Sequence, residues 1–181
     1  MIDLSIIPEC YIDTNLIETI VPTVRGYNHQ KGAGTVTKLM QSKLSDKFAV
    51  GIVDKDKKQL KYVEEFDLKI DIGDLLLFKH KNLQKHHYLI FINPAMEKWI
   101  MKNADEVEIS LGDYGLSDNL KELTKTTKKV TSKKDKTFKK LFRDLKIRNP
   151  KNIEILTNWI KYLKENPYNA NINEMQKMTE I

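Results

Sequence analysis

The chain has 181 residues and a mass of 21.2 kDa, room for one substantial core and a small appendage but crowded for two ordinary domains. With 40% apolar and 31% charged residues it does not have the composition of a disordered chain. The single Cys10 excludes an intrachain disulfide, and no window reaches the length of a membrane span. The formal charge of +6 is unevenly placed: Lys121 to Lys146 carries eleven Lys or Arg against Glu122, Asp135 and Asp144, a local +8 that leaves −2 for the rest.

In chain order, Leu4-Ser5-Ile6-Ile7 predicts a short strand stopped by Pro8, with Glu9 directly after it. Leu16, Ile17, Ile20 and Val21 recur at helical spacing, and Asp13 or Thr14 can cap that helix. The polar stretch 25–34 then reads as a loop bordering a site. It holds His29, which can shuttle a proton or be an ordinary surface residue, and Lys31, which with Gly32 and Gly34 suits a phosphate at the start of the next helix. That helix, from Gly34-Thr35, carries Val36, Leu39, Met40 and Leu44; the glycine spacing is not that of a nucleotide-binding P-loop. Nothing local makes Cys10 a nucleophile.

The central strand is Phe48-Ala49-Val50-Gly51-Ile52-Val53, an apolar run ending abruptly in Asp54-Lys55-Asp56. Function in open α/β sheets sits at such an edge, and two close carboxylates repel until a divalent cation or a proton relieves them. A solvated turn is the alternative for that stretch. Residues 62–70 are ambiguous, whereas Leu75–Lys79 and His87–Ile92 read as strands. After Asn93-Pro94 a helix carries Met96, Trp99, Ile100 and Met101. Glu97 in its first turn is expected to face the same acidic pocket as Asp54, the alternative being that it only complements the helix amides. His80, His86 and His87 lack zinc-site spacing and are expected at a polar hairpin rim.

Residues 104–109 fit a loop or an edge strand, a short helix carries Leu120 and Leu123 from Ser117 or Asp118, and Thr124–Lys134 reads as a polar connector. Phe138, Leu141, Phe142 and Leu145 make one helical stripe, and Ile153, Leu156, Ile160 and Leu163 make another after Asn149-Pro150. These helices either cap the core or serve a partner. Lys133, Lys134, Lys136, Lys139, Lys140 and Arg143 are expected to form a surface facing DNA or RNA phosphates, against the alternative of a merely solvated helix.

Ile6-Ile7-Pro8-Glu9-Cys10-Tyr11-Ile12-Asp13, followed by a helix and then Val50-Gly51-Ile52-Val53-Asp54-Lys55-Asp56, resembles the Toprim domain. Cys10 departs from the Gly usual after that glutamate. The resemblance implies an α/β core over 1–112, a mostly parallel sheet flanked by helices; the helical stripes and charge beyond it add a basic helical extension over 113–181 packed on that core. It implies magnesium, or manganese, held by Glu9, Asp54 and Asp56, Glu9 being a ligand or a general base through water, and Asp13 in a frequent acidic place nearby. Pro94 to Ile100 is similar to the segment after a late strand in small stand-alone Toprim-like proteins of bacteria and phages, which makes Glu97 a fourth catalytic acid. His29, Lys31 and Asp13 fall in a supporting role around the metal or phosphate.

The expected activity is magnesium-dependent phosphodiester chemistry on nucleic acid, a nuclease in phage defence or DNA processing. The alternative is a noncatalytic nucleic-acid-binding or regulatory partner of a separate ATPase, since no ATP-binding motif is present. Homo-oligomerisation stays open, and a cytoplasmic location without membrane contact is expected. Asp13-Thr14-Asn15 also resembles the first acidic motif of PIN nucleases, but Toprim accounts for both acidic segments with one topology.

Overall fold

The structure, a computed structural model, describes residues 2–55 and 60–181. Five strands, β1 (Ile6–Pro8), β2 (Ala49–Asp54), β3 (Phe66–Asp71), β4 (Leu75–His80) and β5 (His87–Ile92), form one sheet in the order β1-β2-β5-β4-β3. The pairs β1–β2 and β2–β5 are parallel, while β4–β5 and β3–β4 are antiparallel. The sheet is therefore mixed, and the expectation of a mostly parallel one needs correcting. Connection length is the reason: three residues join β3 to β4 and six join β4 to β5, too few for the crossover that a parallel neighbour requires.

β2 lies between β1 and β5, and its alternate residues face two layers. Val50 and Ile52 share a cluster with the apolar stripes of α1 (Tyr11–Ile20), α3 (Met96–Glu106), α5 (Lys136–Arg148) and α6 (Lys151–Glu165). Ala49 and Val53 pack instead with Val36 and Met40 of α2 (Ala33–Gln41). At Gly51 a Cβ would meet Leu89 Cδ2 at 2.7 Å and Val36 Cγ1 at 2.8 Å, so the missing side chain lets α2 lie close against β2. Asp54 shares the parity of Val50 and Ile52 and is delivered to the α1/α3 layer at the strand's end.

Phe138, Leu141, Phe142 and Leu145 of α5 are buried, as are Ile153, Leu156, Ile160 and Leu163 of α6. Their apolar stripes are used inside the chain, so they offer no face to a partner. Residues 104–109 form no edge strand; α3 runs on to Glu106, and Glu108 reverses the chain with φ 55°. The expected polar connector is ordered as α4 (Leu120–Thr127) and a 3-10 turn at Val130–Lys134. Tertiary bonds hold it: Asn15 Nδ2 donates to Ser132 O (2.7 Å) and Asp135 O (3.1 Å), and Ser132 Oγ donates to Thr127 O (2.7 Å). A short α7 (Ile172–Lys177) closes the chain.

His80 and His87 do not form a polar rim, because both are buried. His87 Nε2 donates to Leu44 O (2.9 Å), which leaves Nδ1 to accept the Tyr62 hydroxyl (2.6 Å). His80 Nδ1 accepts the Asn82 amide and Nε2 bonds Glu65 Oε2 (3.1 Å). Burial lowers the pKa of both imidazoles. Among the described residues, no helix is long and apolar enough to cross a membrane.

Candidate active site

Parallel pairing makes β1 and β2 end at the same edge of the sheet, so Glu9 and Asp54 emerge side by side. Glu9 N–H donates to Ile52 O (3.0 Å), its carbonyl accepts Gly32 N–H (3.1 Å), and its Oε2 accepts the Asp54 amide (2.9 Å). β5 delivers α3 to that edge, where Asp54 Oδ1 accepts the Met96 amide at 3.1 Å. A carboxylate thus meets the positive end of a helix dipole. Glu97, one residue further on, lines the same cleft and accepts the Thr127 hydroxyl at Oε1 (2.5 Å).

α1 begins at Tyr11 with Cys10 as its N-cap, so Asp13 is the third helical residue rather than the cap. Asp13 Oδ2 reaches back to the Cys10 amide (3.1 Å), in the manner of a capping box. The side chain is 1% exposed, and its Oδ1 has no hydrogen-bond partner.

The acids lie in one another's field. Burial, then the charges of Asp13, Glu9 and Glu97, push Asp54 up to about 9, against the Met96 bond. Burial, opposed by the Cys10 bond and reinforced by Glu9 and Glu97, pushes Asp13 up to about 7. Such a cluster holds a proton or a cation at neutral pH, because its members cannot all be ionised cheaply. The Cys10 thiol is pushed far up by burial and by Asp13, which removes it as a nucleophile.

The cleft measures ≈ 750 Å³ and is lined by Glu9, Asp54 and Glu97 together with Tyr11, His29 and Lys31. Tyr11 stacks on His29 with centroids 4.5 Å apart, and Lys31 Nζ lies 6.0 Å from the Tyr11 ring. Thr14 Oγ1 donates to Cys10 O (2.7 Å), so at 2.9 Å it accepts from His29 Nδ1. That assigns the proton to Nδ1 and leaves a lone pair on Nε2, which is buried without a partner. Burial and then Lys133 lower the His29 pKa, so the ring is neutral.

A second compartment, ≈ 530 Å³, runs between α1 and α5 and is lined by Lys133, Lys134, Lys136, Lys139 and Arg143. Lys140 does not belong with them: its Nζ lies 5.3 Å from the Tyr114 ring, in a separate depression with Asp113 and Asp144. On α5 it therefore faces another neighbour than Lys139. Asp56 lies outside the described residues. Among those described, no group of three His, Cys, Asp or Glu is arranged to hold a metal ion. Sequence reading missed Tyr11 as a cleft residue, Thr127 as the partner of Glu97, and Asn15 as the anchor of the basic turn. Their partners are 18, 30 and 117 residues away, and no local pattern marks them.

No family model matches the chain, and no curated protein or solved structure matches it either.

Proposed function

We propose that this protein is a divalent-cation-dependent phosphodiesterase acting on nucleic acid, a nuclease of Toprim-like plan. One observation carries the reading. Glu9, Asp54 and Glu97, from three separate segments, line a single cleft, where the charges of Glu9 and Glu97 raise the proton affinity of Asp54 and of the buried Asp13.

Magnesium suits a donor set of carboxylate oxygens, and close by the buried Asp13 Oδ1 has no hydrogen-bond partner. Magnesium is commonly held through one or two carboxylates and its own waters, so it does not demand a closed protein cage. Glu9, Asp54 and Asp56 would hold it, with Glu97 as a fourth acid; when bound, it supplies Lewis-acid stabilisation of a phosphoryl group and a more acidic water. The chain's own residues do the rest. Lys31, Lys55, Lys98 and Lys128 border the cleft and draw in a polyanion that the acids alone would repel. Thr127 holds the orientation of Glu97, and the neutral His29 adds no positive charge to those of the lysines.

The competing reading, a noncatalytic nucleic-acid-binding partner of a separate ATPase, is favoured by the bond from the Asp54 amide to Glu9, which gives Glu9 a structural task. One experiment separates the two. Wild type and an Asp54→Asn, Asp56→Asn double variant are titrated with magnesium and manganese by calorimetry. Cleavage of single-stranded and duplex DNA and RNA is then followed with and without EDTA. The nuclease reading expects EDTA-sensitive cleavage and at least a ~10-fold loss of ion affinity in the variant. Equal ion affinity in both proteins, or no cleavage of any substrate, overturns it.

A further inference from the structure

The cleft and the basic groove share one wall. Tyr11 in the cleft and Asn15 and Glu18 in the groove stand at i, i+4 and i+7 of α1, a single helical face roughly 10 Å long at ~1.5 Å per residue. Lys133 joins the two spaces, because it lines the groove and its charge acts on His29 in the cleft. The 3-10 turn that carries Lys133 and Lys134 is fixed to α1 by Asn15. Beyond it, Lys139 and Arg143 continue into a further ≈ 240 Å³ hollow beside Pro22 and Gly26. Glu18, which lines both the groove and that hollow, is engaged by the Tyr27 amide at 3.2 Å.

From this arrangement we infer that the ligand is a single, unpaired polynucleotide strand. One nucleotide sits in the acidic cleft against the Tyr11–His29 stack, and the adjoining phosphates follow Lys133, Lys139 and Arg143 along α1. Sequence-independent single-strand sites combine these two parts, a basic groove that tracks the backbone and an aromatic face on which a base stacks. Each compartment has the size of a pocket for one small-molecule-sized group. A lone strand can thread through both, whereas a duplex must keep its paired bases outside them. The inference rests on the nuclease reading only for what happens to the strand in the cleft.

Fluorescence anisotropy in EDTA, with a labelled single-stranded DNA or RNA oligonucleotide and the duplex of the same length, tests it without chemistry. The single strand is expected to bind at least ~10-fold more tightly than the duplex. Tyr11→Ala should weaken single-strand binding by roughly 5- to 100-fold while Tyr11→Phe retains it. Tyr11→Leu, apolar but without an aromatic face, serves in its place should Tyr11→Ala unfold. The triple variant Lys133→Ala, Lys139→Ala, Arg143→Ala should flatten the log–log salt slope by about 2, at ~0.7 per phosphate contact. A duplex bound as tightly as the single strand, an unchanged affinity in the folded Tyr11 variant, or an unchanged salt slope overturns the inference. Duplex preference together with EDTA-sensitive cleavage would defeat this inference and leave the nuclease reading standing; single-strand preference with no cleavage would do the reverse.

Discussion

Asp54→Asn removes one charge from the acidic cluster and keeps the Oδ1 acceptor that the Met96 amide uses. In the folded chain Asp54 titrates at about 9, above its ordinary 3.8, so between those values the folded state holds a proton that the unfolded state has released. Stability therefore falls as pH rises through that window, and the wild-type carboxylate is a liability at neutral and alkaline pH. Each pH unit crossed corresponds to about 1.36 kcal/mol, so the passage from about pH 4 to about pH 8 sets a ceiling of about 5 kcal/mol. Because Asp54 titrates jointly with its acidic neighbours, the gain from removing its charge alone stays below that ceiling. For a chain of this size each kcal/mol gained raises Tm by roughly 2–4 °C. The assay is thermal unfolding of both proteins in EDTA at acid and alkaline pH, repeated with magnesium. The variant should be the more stable at alkaline pH, and the gain should disappear in acid. Saturating magnesium should narrow the gap by stabilising the wild type, by about 2.7 kcal/mol at a concentration of ~100 Kd. A variant less stable than wild type at alkaline pH, or a gain independent of pH, would refute the view that Asp54 stands in a repulsive acidic cluster.

Two further outcomes follow from the packing. Gly51→Val pushes side-chain carbons into Leu89, Val36 and Met40 and should lower stability by about 1–3 kcal/mol, read as a lower urea midpoint; an unchanged midpoint would mean that α2 yields without cost. Asn15→Leu removes one donor each from the Ser132 and Asp135 carbonyls, which keep the Asp135 and Lys139 amides, and should cost about 1 kcal/mol for each hydrogen bond lost. Hydrogen exchange at residues 130–135 should accelerate in that variant. Protection equal to wild type there would show that Asn15 does not anchor the basic turn.

Local chemistry determined much of this protein. The apolar run before Asp54, the alternation around it and the stripes of α5 and α6 settle which segments become strands and helices, because burial of one face is written at a spacing of two or of three to four residues. Glu9 and Asp54 were legible as site candidates for the same reason: each is the first acid after an apolar strand. What the tertiary structure decided is whatever depends on distance along the chain. Short connections turned half of the strand pairings antiparallel, although each strand taken alone reads the same in either direction. His80 and His87, polar by type, are buried because Tyr62, Leu44, Glu65 and Asn82 supply their hydrogen bonds. Thr124–Lys134 looks like a solvated connector until Asn15, Thr127 and Ser132 bond it into place. The raised proton affinities of Asp13 and Asp54 belong to no single residue. Coulomb repulsion and desolvation act through space, and only the folded chain brings Glu9, Asp13, Asp54 and Glu97 within reach of one another.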